Sequence, residues 1–448
     1  MSRNPLLPVN ICMPDVEARV MSDGNVYLYG SFDKELSQYC SEVYRVASSN
    51  DMKNWEIHPV SFRADQVPWA GEMSSGTHAL LSGITCFEEL PAHIREYLPE
   101  EARAIPIEQL IAAIEEGARE AAQKEQQLYA PDAIEKDGKY YLYFCMSNES
   151  EGVAVSDKPQ GPFSQVQRMS AQGIDPAIFI DDDGQAYYYW GQFSAKGAKL
   201  ASDMVTIEED SIVEGIVTEK EHHFHEGSSV RKRNGIYYYV FADISRGRPT
   251  CLGYATSTSP LGPFTYQGVI IDNADCDPES WNNHGSIEEI NGQWYVFYHR
   301  SSNNTRYLRR VCVEPISFDE NGLIQEVPMT SQGAGEPFAL GELIPACTAC
   351  GFTGGAYLDT VCRENEGIVR LKKGSAAVFR YFCNTQPAHM LKLAGRGESF
   401  FQLEADGVAV GKGKTGEVID ISLEPGRHEL RIQMLTEGNY EFRSFCLT

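Results

Sequence analysis

The 448 residues contain no run of 18 or more apolar residues, so no transmembrane helix is expected. The opening MSRNPLLPVN has no apolar h-region, so no secretory signal is expected and the chain reads as cytoplasmic. Positive charge is scarce: 38 Lys and Arg stand against 63 Asp and Glu, a formal net charge of −25. Such a chain is a poor partner for nucleic acid or an anionic membrane surface. Paired cysteine motifs are missing too. Cys347 and Cys350 form one C-x-x-C, but no second pair completes a zinc pattern. Cysteines inside apolar stretches, such as Cys12, Cys145, Cys312 and Cys383, read as buried free thiols. GVAVGKGKTG misses the phosphate-loop spacing, and no serine elbow is present.

What is abundant points to β-structure. The chain is 42% apolar, enough for a sizeable core, with 23 Tyr, 20 Phe and 39 Gly. One phrase recurs, an Asp-Gly or Asn-Gly turn followed by an aromatic strand: DGNVYLYG, DGKYYLYF, DDGQAYYYW, NGIYYYVF and NGQWYVFY. Such turns are strong hairpin signals. The last four turn glycines, Gly138, Gly184, Gly235 and Gly292, are spaced about 50 apart, the range of propeller blades. The fold expected is all-β. It comprises a five-bladed β-propeller over residues 1–341, a helical insertion after the first blade at about 64–128, and a C-terminal β-sandwich over 342–448. Within the insertion, Ile107, Leu110, Ile111, Ile114, Ala118 and Ala121 fall on one helical face. The insertion reads equally as a lid or as a hairpin packed on the rim, and His78 within it is a candidate visitor to a site.

The first strand of each blade lines a propeller's channel, so equivalent positions at its start face one another. Nine residues before the turn glycine stand Asp15, Asp175 and Glu226 in three blades; eight before Gly292 stands His284. The second blade has Tyr129 and Ala130 there. Three facing carboxylates could bind a hard cation such as Ca²⁺. They could instead divide acid and base work, one carboxyl protonating a glycosidic oxygen while another, ionised, activates water. The adjacent HHFH, with His222, His223 and His225, lacks a tetrahedral partner set and reads as loop and site wall.

These stretches, NPLLPVNICMPDVEARV, LYAPDAI, GIDPAIFIDDDG, FHEGSSVRK and NNHGSIEEINGQWYVFYHR, resemble family 43 glycoside hydrolases. Members are five-bladed propellers that remove arabinofuranosyl or xylosyl units from plant oligosaccharides with inversion. The resemblance implies that Asp15 is the general base, Glu226 the general acid and Asp175 the group that tunes and orients the acid. It implies a central cation or water beside His284, and a sugar contact from Arg300. No cofactor is required, with Ca²⁺ near His284 as the metal alternative. Phe32, Tyr129 with Ala130, and Trp190 are candidates to line the sugar site; Trp190 reads equally as blade core. PDVEARV departs from the commoner base motif, which leaves the sugar open. The stretch Ala377–Leu447 resembles family 6 carbohydrate-binding modules, as a glycan binder or as a buttress. The expected function is an exo-acting, inverting glycoside hydrolase on arabinose- or xylose-containing oligosaccharides. The alternatives are another propeller glycosidase, a phosphorylase or a non-catalytic sugar-binding propeller.

Overall fold

The computed structural model describes residues 3–72, 81–90, 92–95, 98–124, 126–360 and 367–448; His78 lies outside them. Five antiparallel sheets follow one another along the chain. The first blade is β1 (Glu17–Val20), β2 (Val26–Gly30), β3 (Val43–Ser49) and β4 (Glu56–Arg63). The second is β5 (Asp132–Lys136), β6 (Lys139–Cys145), β7 (Ser150–Ser156) and β8 (Ser164–Gln172). The third is β9 (Ala177–Ile180), β10 (Ala186–Trp190), β11 (Ser194–Leu200) and β12 (Val213–Thr218). The fourth is β13 (Phe224–Arg233), β14 (Ile236–Asp243), β15 (Cys251–Ser257) and β16 (Thr265–Asp272). The fifth has three strands, β17 (Ser286–Ile290), β18 (Gln293–Arg300) and β19 (Arg310–Ile316). The N-terminal segment runs beside β19: Leu6 N–H donates to the Val311 carbonyl at 2.9 Å, and Val313 N–H to Asn4 Oδ1 at 2.9 Å. Chain start and last blade are thereby joined.

The recurring phrase is the hairpin between the first and second strands of each blade. Asp137-Gly138, Asn234-Gly235 and Asn291-Gly292 have positive φ at both residues, as a two-residue hairpin turn matched to strand twist requires. The tyrosines that follow explain why the sheets need Tyr as well as Phe. Tyr29, Tyr143, Tyr189 and Tyr238 are buried between blades. Their hydroxyls donate to carbonyls of the next blade or of the segment that follows it, Pro159, Met204, Pro260 and Gly322, at 2.7–2.8 Å. The ring fills the inter-blade core and the hydroxyl satisfies a loop carbonyl.

The innermost strands are tied around the axis by two buried arginines. Arg19 of β1 donates to Asp132 of β5 at 3.0 Å and to the Ile178 carbonyl of β9 at 2.7 Å. Arg231 of β13 reaches Glu17 of β1 at 2.9 Å and Glu288 of β17 at 2.7 Å. All five blades therefore take part in one buried network, the third through a backbone carbonyl. Burial, with Asp132 close by, pushes the Glu17 carboxyl up to about 7 against the pull of both arginines.

The insertion leaves after β4. Trp69 and Ala70 still pack in the core between the first two blades, with Tyr44, Phe62 and Phe144. Beyond them Leu81, Leu90, Ala102 and Leu110 form a separate small core, joined by Ile107, Ile111 and Ile114 of the helix Ile107–Lys124. From Ile344 to Leu447 eleven strands make one nearly closed antiparallel sheet. It wraps a core that includes Ile344, Phe379, Leu403, Leu430 and Phe442. Its Cys350 and Val378 pack with Tyr298, Cys312 and Ile316 of the fifth blade, so the sheet rests against the propeller.

Candidate active site

One mouth of the channel opens into a cavity of about 390 Å³. Its lining brings together Asp15, Asp175, Glu226, His284, Tyr129 and Ala130, the equivalent positions of all five blades. Asp15 and Asp175 each sit two residues ahead of their innermost strand, both with φ of 56°, a left-handed conformation that Asp tolerates better than most residues. Glu226 lies inside β13, where the register slips between Phe224 and Ser229. Such a bulge re-aims a side chain. Gly227, at φ +80°, is required twice over: a Cβ there would also lie 3.1 Å from the His284 ring.

Asp15 is buried, and its Oδ1 accepts a 2.8 Å hydrogen bond from Arg309. Burial opposes ionisation, but Arg309, then His299 and His284, outweigh it and hold the carboxyl well below the usual range. Arg309 is itself fixed by a two-pronged contact to Asp33, at 2.9 and 3.0 Å. His299 Nε2 lies 3.0 Å from the Asn282 carbonyl, and its Nδ1 lies 3.4 Å from Asp15 Oδ1 and 3.4 Å from the Asp15 backbone nitrogen. Asp175 has the opposite environment. Burial first, then the charges of Glu226 and Asp15, raise its proton affinity well above the usual value, with the Gly227 N–H opposing. Glu226 is half-buried, and Gln192 donates to its Oε2 at 2.7 Å. The cavity therefore sets a carboxylate held ionised, Asp15, opposite a buried carboxyl whose proton affinity is raised, Asp175 beside Glu226.

His284 Nδ1 lies 3.9 Å from Asp15 and 3.8 Å from Asp175. Burial brings its pKa down to about 4, so the ring is neutral. A calcium ion takes six to eight oxygen ligands. The donors converging here are one imidazole and two carboxylates, one of them already paired with Arg309. Among the described residues no group of three or more His, Cys, Asp or Glu is placed to hold a metal.

Three of the sugar-contact candidates lie away from this lining. Arg300 is buried, its guanidinium donating to the Tyr298 hydroxyl at 2.6 Å and to the Thr330 carbonyl at 2.6 Å, with Glu314 at 3.6 Å. It stitches the last blade to the chain that follows. Trp190 packs against Tyr188 in the core between blades two and three. Phe32 is half-buried beneath Arg45, 5.4 Å from its ring centre. The HHFH histidines part company: His222 is buried and faces the Phe264 carbonyl, His223 meets the Tyr266 ring edge to face, and His225 lines the cavity. Tyr129 is placed by its carbonyl, which accepts from the Tyr44 hydroxyl.

Arg309, His299 and Trp281 were missed by sequence reasoning. Arg309 and His299 lie outside the innermost-strand positions that the repeat singles out. The signal for Arg309 was faint, a lone Arg-Arg pair at the start of β19. Trp281 lines the cavity from an irregular loop where no period applies.

The model for family 43 glycosyl hydrolases matches residues 108–324. A xylosidase/arabinosidase of Thermoclostridium stercorarium is 28% identical, over 99% of this chain and 98% of its own length. A β-xylosidase of Xylanibacter ruminicola is 33% identical over 45% of this chain and 75% of its own. Xylosidase/arabinosidase 43A of Humicola insolens is 36% identical over 44% and 74%. Among solved structures, a β-xylosidase/α-arabinofuranosidase from a compost microbial metagenome, in complex with xylotriose, superposes with a TM-score of 0.54. It is 27% identical, over 73% of this chain and 98% of that one. The five-bladed scaffold, the cavity with its three carboxyls, and these likenesses agree: the chain belongs to glycosyl hydrolase family 43 and is a glycoside hydrolase.

Proposed function

We propose that the enzyme removes terminal xylosyl or arabinofuranosyl units from oligosaccharides by single displacement, with inversion and without a cofactor. The observation that carries this is one cavity lined by three carboxyls, Asp15 bound to Arg309 at 2.8 Å and Asp175 buried beside the half-exposed Glu226. Asp15, held ionised by Arg309, is the base that draws a proton from water as it attacks the anomeric carbon. Glu226 is the half-exposed member of the carboxyl pair and gives its proton to the departing oxygen at the mouth. Asp175, deeper and flanked by Gly227 and His284, keeps a proton available to the pair and fixes its geometry. A cavity of about 390 Å³ suits one or two sugar rings. The relatives' names supply the two candidate sugars.

A phosphorylase would need cationic groups free to hold phosphate. Among the described residues Arg309 is the one Lys or Arg in the lining, and it is committed to Asp15 and Asp33. The eleven described cysteines are all free thiols, which supports work in a reducing compartment on oligosaccharides already small. The test is the activity of Asp15→Ala and Glu226→Ala on aryl xylopyranoside and aryl arabinofuranoside, with the product anomer followed by NMR. Turnover falls by about 10²–10⁴ or more in each variant, and wild-type product appears with inverted configuration. Wild-type turnover in both variants, or a retained anomer, overturns the assignment.

A further inference from the structure

Among the described residues only three Phe or Trp side chains are exposed: Phe193, Trp281 and Phe400. The first two stand at the cavity that holds Glu226, Trp281 in its lining and Phe193 against the lining residue His225. Trp281, 40% exposed, lines the catalytic cavity, and the Arg306 guanidinium stands over its ring at 5.4 Å. Phe193, 51% exposed, follows Gln192, the residue that donates to Glu226, and its ring meets the edge of the cavity-lining His225 at 5.1 Å. Its backbone is left-handed, φ 62°, held by a 2.7 Å bond from its N–H to the His225 carbonyl. A bulky residue in that region is strained and persists only where its surroundings fix it. Leaving these rings in water costs the free enzyme apolar hydration that a ligand would relieve.

Their place relative to the carboxyls decides which part of the substrate they meet. The closed end of the cavity holds Asp15, Asp175, His284 and Arg309, all buried, and accepts the sugar unit that is removed. Glu226 must face the glycosidic oxygen, so the rest of the substrate lies outward of it, where the two exposed aromatics are. We propose that Trp281 and Phe193 form the subsite for the leaving sugar, Trp281 as a platform for the C–H face of a pyranose ring and Phe193 as its flanking wall. Arg306, above the indole, is in reach of hydroxyls on a ring stacked beside it. The subsite selects for a sugar, in place of a small alcohol, as leaving group. It rests on the assignment of Glu226 as the acid.

The experiment compares kcat/KM for xylobiose and for methyl β-xylopyranoside in the wild type, Trp281→Ala, Trp281→Phe and Phe193→Ala. If arabinofuranose is the sugar removed, arabinosyl-xylobiose and methyl α-arabinofuranoside take their place. The ratio of disaccharide to methyl glycoside falls about tenfold in Trp281→Ala, from the ring face no longer covered. It recovers most of that in Trp281→Phe, and falls by a smaller factor in Phe193→Ala. An unchanged ratio in Trp281→Ala, or an equal loss on both substrates, overturns the subsite. If the wild type cleaves neither pair, or Glu226→Ala cleaves both at the wild-type rate, it is the assignment of Glu226 that fails.

Discussion

Arg309 is the residue on which the ionised state of Asp15 depends, and Arg309→Gln tests that dependence. The guanidinium lies 2.8 Å from Asp15 Oδ1. At an effective dielectric of about 20, a charge pair that close attracts by about 6 kcal/mol, or about four pH units. Water in the open cavity and the two neighbouring imidazoles reduce this to the range of about 1–3 units found for carboxylates beside arginine. The sign follows from the direction of the shift. Arg309 lowers the proton affinity of Asp15, so the base stays ionised as the pH falls well below the usual carboxylate value. Without Arg309, burial prevails and Asp15 takes up its proton at higher pH. The acid limb of kcat/KM, which lies below the assay range in the wild type, therefore rises into it in Arg309→Gln, past the usual carboxylate value once burial prevails. Arg309→Lys keeps the charge, so its limb stays near the wild-type position while its two-pronged hold on Asp33 is lost. Arg309→Gln also leaves Asp33 and Asp15 buried without their cation, at about 3–5 kcal/mol, which a thermal melt reads independently. The assay is the pH profile of hydrolysis of an aryl glycoside from pH 3 to 9. An Arg309→Gln profile that superimposes on the wild type after scaling its height refutes the assignment of Asp15 as the titrating base.

Three further expectations concern the scaffold. Glu151 is buried with Oε1 unpartnered, and burial pushes it up to about 8 despite a hydrogen bond from Tyr188. A folded value above the ordinary 4.5 makes the wild type lose stability as pH rises from about 4.5 to about 8. Glu151→Gln should remove that slope and be more stable than wild type by about 2–5 kcal/mol at pH 9 in urea titrations; parallel curves for the two proteins would contradict it. Gly227→Ala places a Cβ against His284 in a left-handed residue, costing about 1–2 kcal/mol, a drop of about 1–3 °C in Tm, with lower kcat because Glu226 precedes it; an unchanged melt rules the crowding out. Arg231→Met strands Glu17 and Glu288 in the channel and is expected to cost about 3–5 kcal/mol by denaturant unfolding. A loss under about 1 kcal/mol would show that the network does not hold the blades.

Much of this was legible because a propeller repeats its physics locally. A turn of Asp or Asn with Gly, then alternating aromatics, forces a hairpin whatever surrounds it. The count of hairpins gave the blades, and the register gave Asp15, Asp175, Glu226, His284 and Tyr129-Ala130 at one mouth. Side chains outside the repeat were less legible. Arg300 and Arg309 are both arginines near strand ends, and nothing local distinguishes the one bound to Tyr298 and Thr330 from the one bound to Asp15. Trp190 is set in a core by the neighbouring blade, whereas Trp281 is left open by a loop with no period.

The sequence by itself determined the hairpins, the number of blades and the carboxyls that start their inner strands, since each depends on residues within about ten positions of one another. The tertiary structure decided the protonation. Asp15 and Arg309, 294 positions apart, meet because the fifth blade closes onto the first, and burial sets Asp175 against Glu226. A carboxyl's charge is fixed by the charges and water within a few ångströms, and only the closed ring of blades brings those together.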